Sequence, residues 1–123
     1  MSITSPSEPK WVYLDIARAL EQIGDEQAMR GMLPMLQELL ENDLPRIVQF
    51  LAEQDVPGAN RLLHSIKGCM PIFCGPALCE QLAGVEFMSK SGGSAEVSEA
   101  FALLHPKLLG LQREVAHYLA QPM

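Results

Sequence analysis

Between Glu26 and Gln54 the apolar residues return every three or four positions: Met29, Met32, Leu33, Leu36, Leu39, Leu40, Leu44, Ile47, Val48 and Leu51. That is the spacing of a long amphipathic helix. Pro34 and Pro45 fall inside it, and each removes a helical donor and crowds the preceding turn. Asp43 with Pro45 also forms a cap-and-restart signal. The apolar register runs through both prolines, so the pattern predicts one bent helix.

The same period recurs three more times. Asp55-Val-Pro-Gly is a turn, and a second stretch runs from Pro57 to Phe73. Cys74-Gly-Pro is the next turn, with Pro76 suited to the first position of a helix. That helix, Ala77 to Ser89, turns Leu78, Leu82, Val85 and one of Phe87 or Met88 inward. Ser91-Gly-Gly-Ser then leads, with Ser94 as cap, into Ala95 to Ala120, where Val97, Phe101, Leu104, Leu108, Leu111, Val115 and Leu119 keep core spacing and His105-Pro106 predicts a kink. Ahead of these, Trp11 to Ile23 reads as a short helix with a partial apolar face, stopped by Gly24 and followed by Asp25 as a cap. Residues 1–10, rich in Ser and Pro, are expected to be a flexible lead-in, and residues 11–123 one domain. Short connections between long helices favour antiparallel neighbours. The expectation is therefore an all-α, up-down-up-down antiparallel four-helix bundle with a short extra N-terminal helix.

Composition narrows what such a bundle does. The 123 residues carry 15 acidic and 9 basic side chains, a net charge of −6. No basic stripe is available for nucleic-acid phosphates. The longest apolar runs are broken by Pro and Gly, too short for a membrane span. Met1 to Pro9 has neither the basic nor the apolar region of a signal peptide, so a cytoplasmic location is expected. The odd count of three cysteines, Cys69, Cys74 and Cys79, fits reduced thiols. Their spacing matches no common zinc pattern, and no metal is expected.

The stretch Arg61-Leu-Leu-His-Ser-Ile-Lys-Gly-Cys-Met-Pro-Ile-Phe73 holds the chemistry. At about 100° per residue, Leu62, Leu63, Ile66, Cys69, Met70 and Phe73 gather within roughly a third of the helix circumference, and His64 points about 160° from the centre of that stripe. Its neighbours one turn away are Asn60, Arg61, Lys67 and Gly68. An exposed imidazole is a nucleophile through its neutral ring nitrogen, and a phosphorylated imidazole holds a high-energy N–P bond. Lys67 is placed to balance the added charge, and Arg61 adds positive potential. Gly68, in mid-helix at a cost of about 1 kcal/mol, leaves room for a partner to approach.

His64-Ser-Ile-Lys67-Gly68-Cys69 resembles the His-x-x-Lys-Gly-Ser/Ala signature of histidine-containing phosphotransfer (HPt) domains. Leu14-Asp15, Gly24-Asp25-Glu26, Glu41 to Gln54 and Leu78-Cys79-Glu80-Gln81-Leu82 are similar to further segments of that family. The resemblance implies a phosphorelay intermediate: His64 accepts a phosphoryl group from a receiver-domain aspartate and passes it to another receiver. Lys67 would be the charge partner and Gly68 the steric gap, with Asn60, Arg61 and Ser65 around them. Glu86, about 22 residues after the histidine on the adjoining helix, would hydrogen-bond the imidazole. Cys69, Met70, Pro71 and Cys74 depart from the family pattern, and partner choice is expected to lie there.

With no ATP-binding signature, the chain is expected to be a covalent carrier and not an enzyme with kinase activity. It would need no cofactor of its own, Mg²⁺ being expected on the partner. The expected partners are response-regulator receiver domains and a hybrid sensor kinase. A monomer is expected, and the start at Met1 with a capping helix favours a free-standing protein. The alternative is a non-catalytic helical module that binds receivers or kinases without phosphotransfer. Elsewhere, His105 and His117 read as ordinary side chains. Glu114-Val-Ala-His117 matches the Glu-x-x-His element of di-iron bundles, but a second copy is missing.

Overall fold

The computed structural model describes residues 11–122, all-helical apart from short connections and the opening segment. The predicted lead-in of residues 1–10 lies outside the described residues, as does Met123. Five α-helices follow in order: α1 (Ile16–Ile23), α2 (Glu26–Ala52), α3 (Val56–Cys69), α4 (Pro76–Met88) and α5 (Ser94–Ala120). A single 3-10 turn, Met70–Ile72, joins α3 to the α3–α4 connection.

The caps follow local chemistry. Asp15, Asp25 and Asp55 each accept a backbone N–H of the helix they precede, from Arg18, Ala28 and Gly58 at 3.0, 2.8 and 2.9 Å. Gly24 ends α1 at φ 91°, a left-handed conformation that glycine adopts without a Cβ penalty. At α5 the cap falls one residue before Ser94: Gly93 is the N-cap, and Glu96 Oε1 accepts its N–H at 3.2 Å.

Helix α2 runs unbroken through Pro34 and Pro45, because Met29, Leu33, Leu36, Leu40, Leu44, Ile47 and Leu51 bury one continuous face. It packs on α3 and α5, and α4 packs on the same two helices, so the four long helices close a ring around one core, with α1 against α2. Val48, Phe87 and Met88 depart from the expected pattern and are exposed. Ile47 and Val85 are buried as expected, and Glu86 takes the inward position that Phe87 or Met88 was expected to fill.

The opening segment differs most from expectation. Trp11 to Asp15 is non-helical, bent at Val12 and Tyr13, and the first helix begins only at Ile16. Glu114 of α5 accepts three successive backbone N–H groups, from Val12, Tyr13 and Leu14 at 2.9, 3.0 and 2.9 Å. Leu14 also forms a β-bridge with Cys74, through Asp15 N–H to the Phe73 carbonyl and Gly75 N–H to the Tyr13 carbonyl. A helix here would turn the Tyr13 carbonyl toward its own fourth following residue and lose the bond from Gly75. Gly110 completes the docking, since a Cβ there would stand 2.6 Å from the Tyr13 ring.

Asp43 is the one poorly matched buried charge among these elements. Its side chain is 9% exposed, and Arg46 Nη1, 3.8 Å away, is beyond hydrogen-bond reach. Burial pushes the Asp43 carboxyl up, and Arg46 pulls it only part of the way back. The folded chain therefore holds this proton more tightly than the unfolded chain, and stability falls as pH rises through the raised value. Asp43→Asn should raise unfolding free energy at neutral pH by about 1 kcal/mol. Urea denaturation checks it, and a loss of stability instead would mean that the Arg46 pair outweighs burial.

Candidate functional site

The site lies where α3 faces α4. Asn60, His64 and Lys67 stand at i, i+4 and i+7 on α3, one above another, because Leu63 and Ile66 lock the opposite side of the helix into the core. All three converge on Glu86 of α4, whose side chain is 1% exposed. Lys67 Nζ donates to Glu86 Oε1 at 3.1 Å. His64 Nδ1 lies 3.4 Å from Glu86 Oε2, a long contact of the kind that tightens as charge develops. Asn60 Nδ2 reaches the same Oε2 at 3.4 Å and the Glu86 carbonyl at 3.3 Å.

Ser89, buried one turn beyond Glu86, accepts from Asn60 Nδ2 at 2.8 Å and donates to the Glu86 carbonyl at 2.6 Å. This serine was not foreseen, and a polar residue three after Glu86 on an otherwise apolar face was the available signal. The expected inward turn of Phe87 or Met88 hid it. With Glu86 and Ser89 inward, those two neighbours must face out.

Burial pushes the Glu86 carboxyl up. The Lys67 hydrogen bond and charge, the Lys90 charge and the His64 contact outweigh it, and the carboxyl stays below its ordinary value. It is ionised at neutral pH, and the stability from this α3–α4 clasp is lost only as pH falls through that lowered value.

The imidazole itself is 69% exposed on its side chain, and Lys67 is 37% exposed. A carboxylate at Nδ1 selects the tautomer with the proton on Nδ1 and leaves the Nε2 lone pair unengaged by Glu86. The ring is thus reachable, oriented and nucleophilic at one nitrogen. Asn60 acts on Glu86 and Ser89, not on the ring. Arg61 and Ser65 are exposed beside it, with Ser65 Oγ donating to the Arg61 carbonyl at 3.3 Å.

Gly68 lies at the end of α3, one residue before its last, and not in mid-helix. A Cβ there would meet nothing within 4 Å apart from its own helix and chain neighbours, and its φ is not positive. Neither packing within the chain nor backbone conformation requires a glycine, which leaves open surface beside His64. Next to Lys67, a groove of about 300 Å³ runs along Met70, Pro71, Cys79, Leu82 and Ala83.

The remaining candidates do not join this site. Burial pushes the Cys69, Cys74 and Cys79 thiols up, and all three are free. Glu114 is spent on the opening segment, and the His117 ring stands edge-on to Trp11. The His105 ring stacks on Phe101. Among the described residues, no three His, Cys, Asp or Glu side chains are gathered to hold a metal ion, and no helix is long and apolar enough to cross a membrane. Compared with protein-family models, curated proteins and solved structures, the chain finds no match in any of the three.

Proposed function

We propose that the chain is a phosphorelay carrier of the histidine-containing phosphotransfer type, taking a phosphoryl group on His64 from a receiver-domain aspartate and passing it to another receiver. The observation that carries this reading is the exposed imidazole whose Nδ1 faces a buried carboxylate, which leaves Nε2 as the attacking atom. Lys67, one turn on, offers a cation to the incoming phosphoryl oxygens. The open surface at Gly68 and the groove by Pro71 and Cys79 support docking of a folded partner. On this reading the ring of four helices is an up-down-up-down antiparallel four-helix bundle, with α1 the extra helix. Receiver domains and a hybrid sensor kinase are the partners, Mg²⁺ belongs to the receiver, and a cytoplasmic monomer suffices.

The test is transfer. Incubation with a phosphorylated receiver domain should move acid-labile, alkali-stable label onto the chain, and peptide mapping should find it on His64. Receiver binding with no label would favour the interaction module instead. Lys67→Ala should slow uptake about tenfold, equivalent to about 1.4 kcal/mol, with helix content unchanged. An unaltered rate in single-turnover transfer would remove its charge-balancing role.

A further inference from the structure

We propose that the groove between α2 and α5 is a docking site for an amphipathic helix of another protein, one that carries lysine or arginine beside its apolar stripe. The groove lies across the ring of helices from His64, because α3 and α4 hold the imidazole and its carboxylate while α2 and α5 pack on each other. Its occupancy is independent of the carrier reading. Two adjoining hollows of about 390 and 310 Å³ make it, and they share Val48 and His105. Glu41, Pro45 and Leu109 line the first, and Ala52, Ser98 and Ala102 the second. Leu44, Leu51 and Phe101 are buried beneath them and form an apolar floor. Val48, 43% exposed, stands where the hollows meet. From Glu41 to Ala52, α2 advances about 16 Å, or three helical turns. A trough of that length between two packed helices receives a third helix as ridges enter grooves.

The polar groups of the groove say what kind of helix fits. Pro45 stands inside α2 and Pro106 inside α5. A proline has no N–H, so the carbonyls of Glu41 and Ala102, each four residues earlier, lack the donor that a helix ordinarily gives them. Both residues are exposed and line the groove, one in each wall. Two prolines in different helices thus free one acceptor in each wall of the same trough. The Glu41 carboxylate adds negative charge, and among the described residues no Lys or Arg is paired with it. Neither hollow is lined by Lys or Arg. The complement of such a surface is a helix with cationic donors. Because the two acceptors belong to different hollows, its donors would stand about two to three turns apart.

This chain does not supply that helix itself. Outside the groove the exposed large apolar residues are Val12, Met35, Phe87, Met88 and Leu103, and no helix among the described residues gathers them into an outward stripe. A net charge of −6 also sets a second copy against an acidic groove. Residues 1–10 offer only Met1 and Ile3 as large apolar side chains. The occupant is therefore a different protein.

The full chain, titrated with a synthetic peptide of about fifteen residues, tests this. The peptide carries leucines on one helical stripe with lysines flanking it, and its twin has glutamate at every lysine position. Backbone amide shifts in NMR should move along α2 from Glu41 to Ala52 and along α5 from Ser98 to Gln112, and the peptide should gain helix content on binding. At low salt the lysine peptide should bind about tenfold more tightly than its twin. Val48→Asp should weaken binding about tenfold, whereas Leu103→Asp, on α5 outside the groove and also exposed, should bind as wild type. Pro45→Ala returns a donor to the Glu41 carbonyl, and it should raise the melting temperature while weakening binding about threefold. Equal affinity for the two peptides, wild-type binding by Val48→Asp or Pro45→Ala, or binding without a gain of helix content overturns the proposal. So does a dimer in sedimentation velocity that Val48→Asp dissolves, since a second copy would then fill the groove.

Discussion

His64→Gln should accept no label from a phosphorylated receiver domain, a loss on the order of a thousandfold or more, while melting at the wild-type temperature. The two halves of that result have separate causes. An amide nitrogen has no available lone pair, so the N–P bond cannot form. The fold is spared because the ring is 69% exposed and contributes little packing. The glutamine amide can still donate toward Glu86, and Lys67 and Asn60 remain on the carboxylate, so no buried charge is stranded. His105, stacked on Phe101, and His117, beside Trp11, serve as controls whose replacement leaves transfer intact. Phosphorimaging of single-turnover transfer decides it, and label persisting in His64→Gln would overturn the assignment.

The largest expected loss of stability lies elsewhere, at Glu114. Its carboxylate accepts the N–H groups of Val12, Tyr13 and Leu14, and charge-assisted bonds of this kind are worth more than neutral ones. Glu114→Ala removes all three and frees the segment that carries buried Leu14 against Cys74. Part of the cost is returned as those amides reach water. A net loss of about 3 kcal/mol is expected, lowering the melting temperature by about 10 °C. Glu114→Gln should fall between, since Tyr13 and Leu14 share one oxygen that an amide retains, and only the Val12 bond is lost. Thermal unfolding by circular dichroism measures both. A Glu114→Ala melt within about 2 °C of wild type would show that the segment is held by Leu14 and Tyr13 packing alone.

Much of this fold is legible because helices announce themselves locally. Asp25, Asp55, Gly24 and Pro76 set boundaries within the sequence neighbourhood that a periodicity argument reads, whereas the cap Asp15 was hidden inside the expected first helix. The segment 11–15 was legible only as helix, because what holds it is a carboxylate about a hundred positions away and a backbone pairing about sixty positions away. Local pattern carries no record of such a partner. The same limit applied to Glu114, whose Glu-x-x-His spacing, lacking a second copy, gave it no role, while its engagement is with backbone.

At the site, the exposure of His64 and its pairing with Glu86 followed from helical geometry and the family resemblance. Asn60 and Lys67 fell on the right face, yet their shared attachment to one carboxylate depends on the distance between α3 and α4, which no single-helix argument supplies. Ser89 and the helix-end position of Gly68 were missed for related reasons. The first needed the rotation of α4, and the second needed the change to a 3-10 turn at Met70.

Three legs of α3 standing on one carboxylate make a mount with a single adjustment. The ring's heading, the nitrogen that bears its proton and the location of the nearest ammonium are not set independently, because Asn60, His64 and Lys67 all answer to where Glu86 sits. A partner that leans on α4 and slides it along α3 would change all three together. Sequence drift at any one leg is likewise felt by the other two, so these four positions should vary as a set.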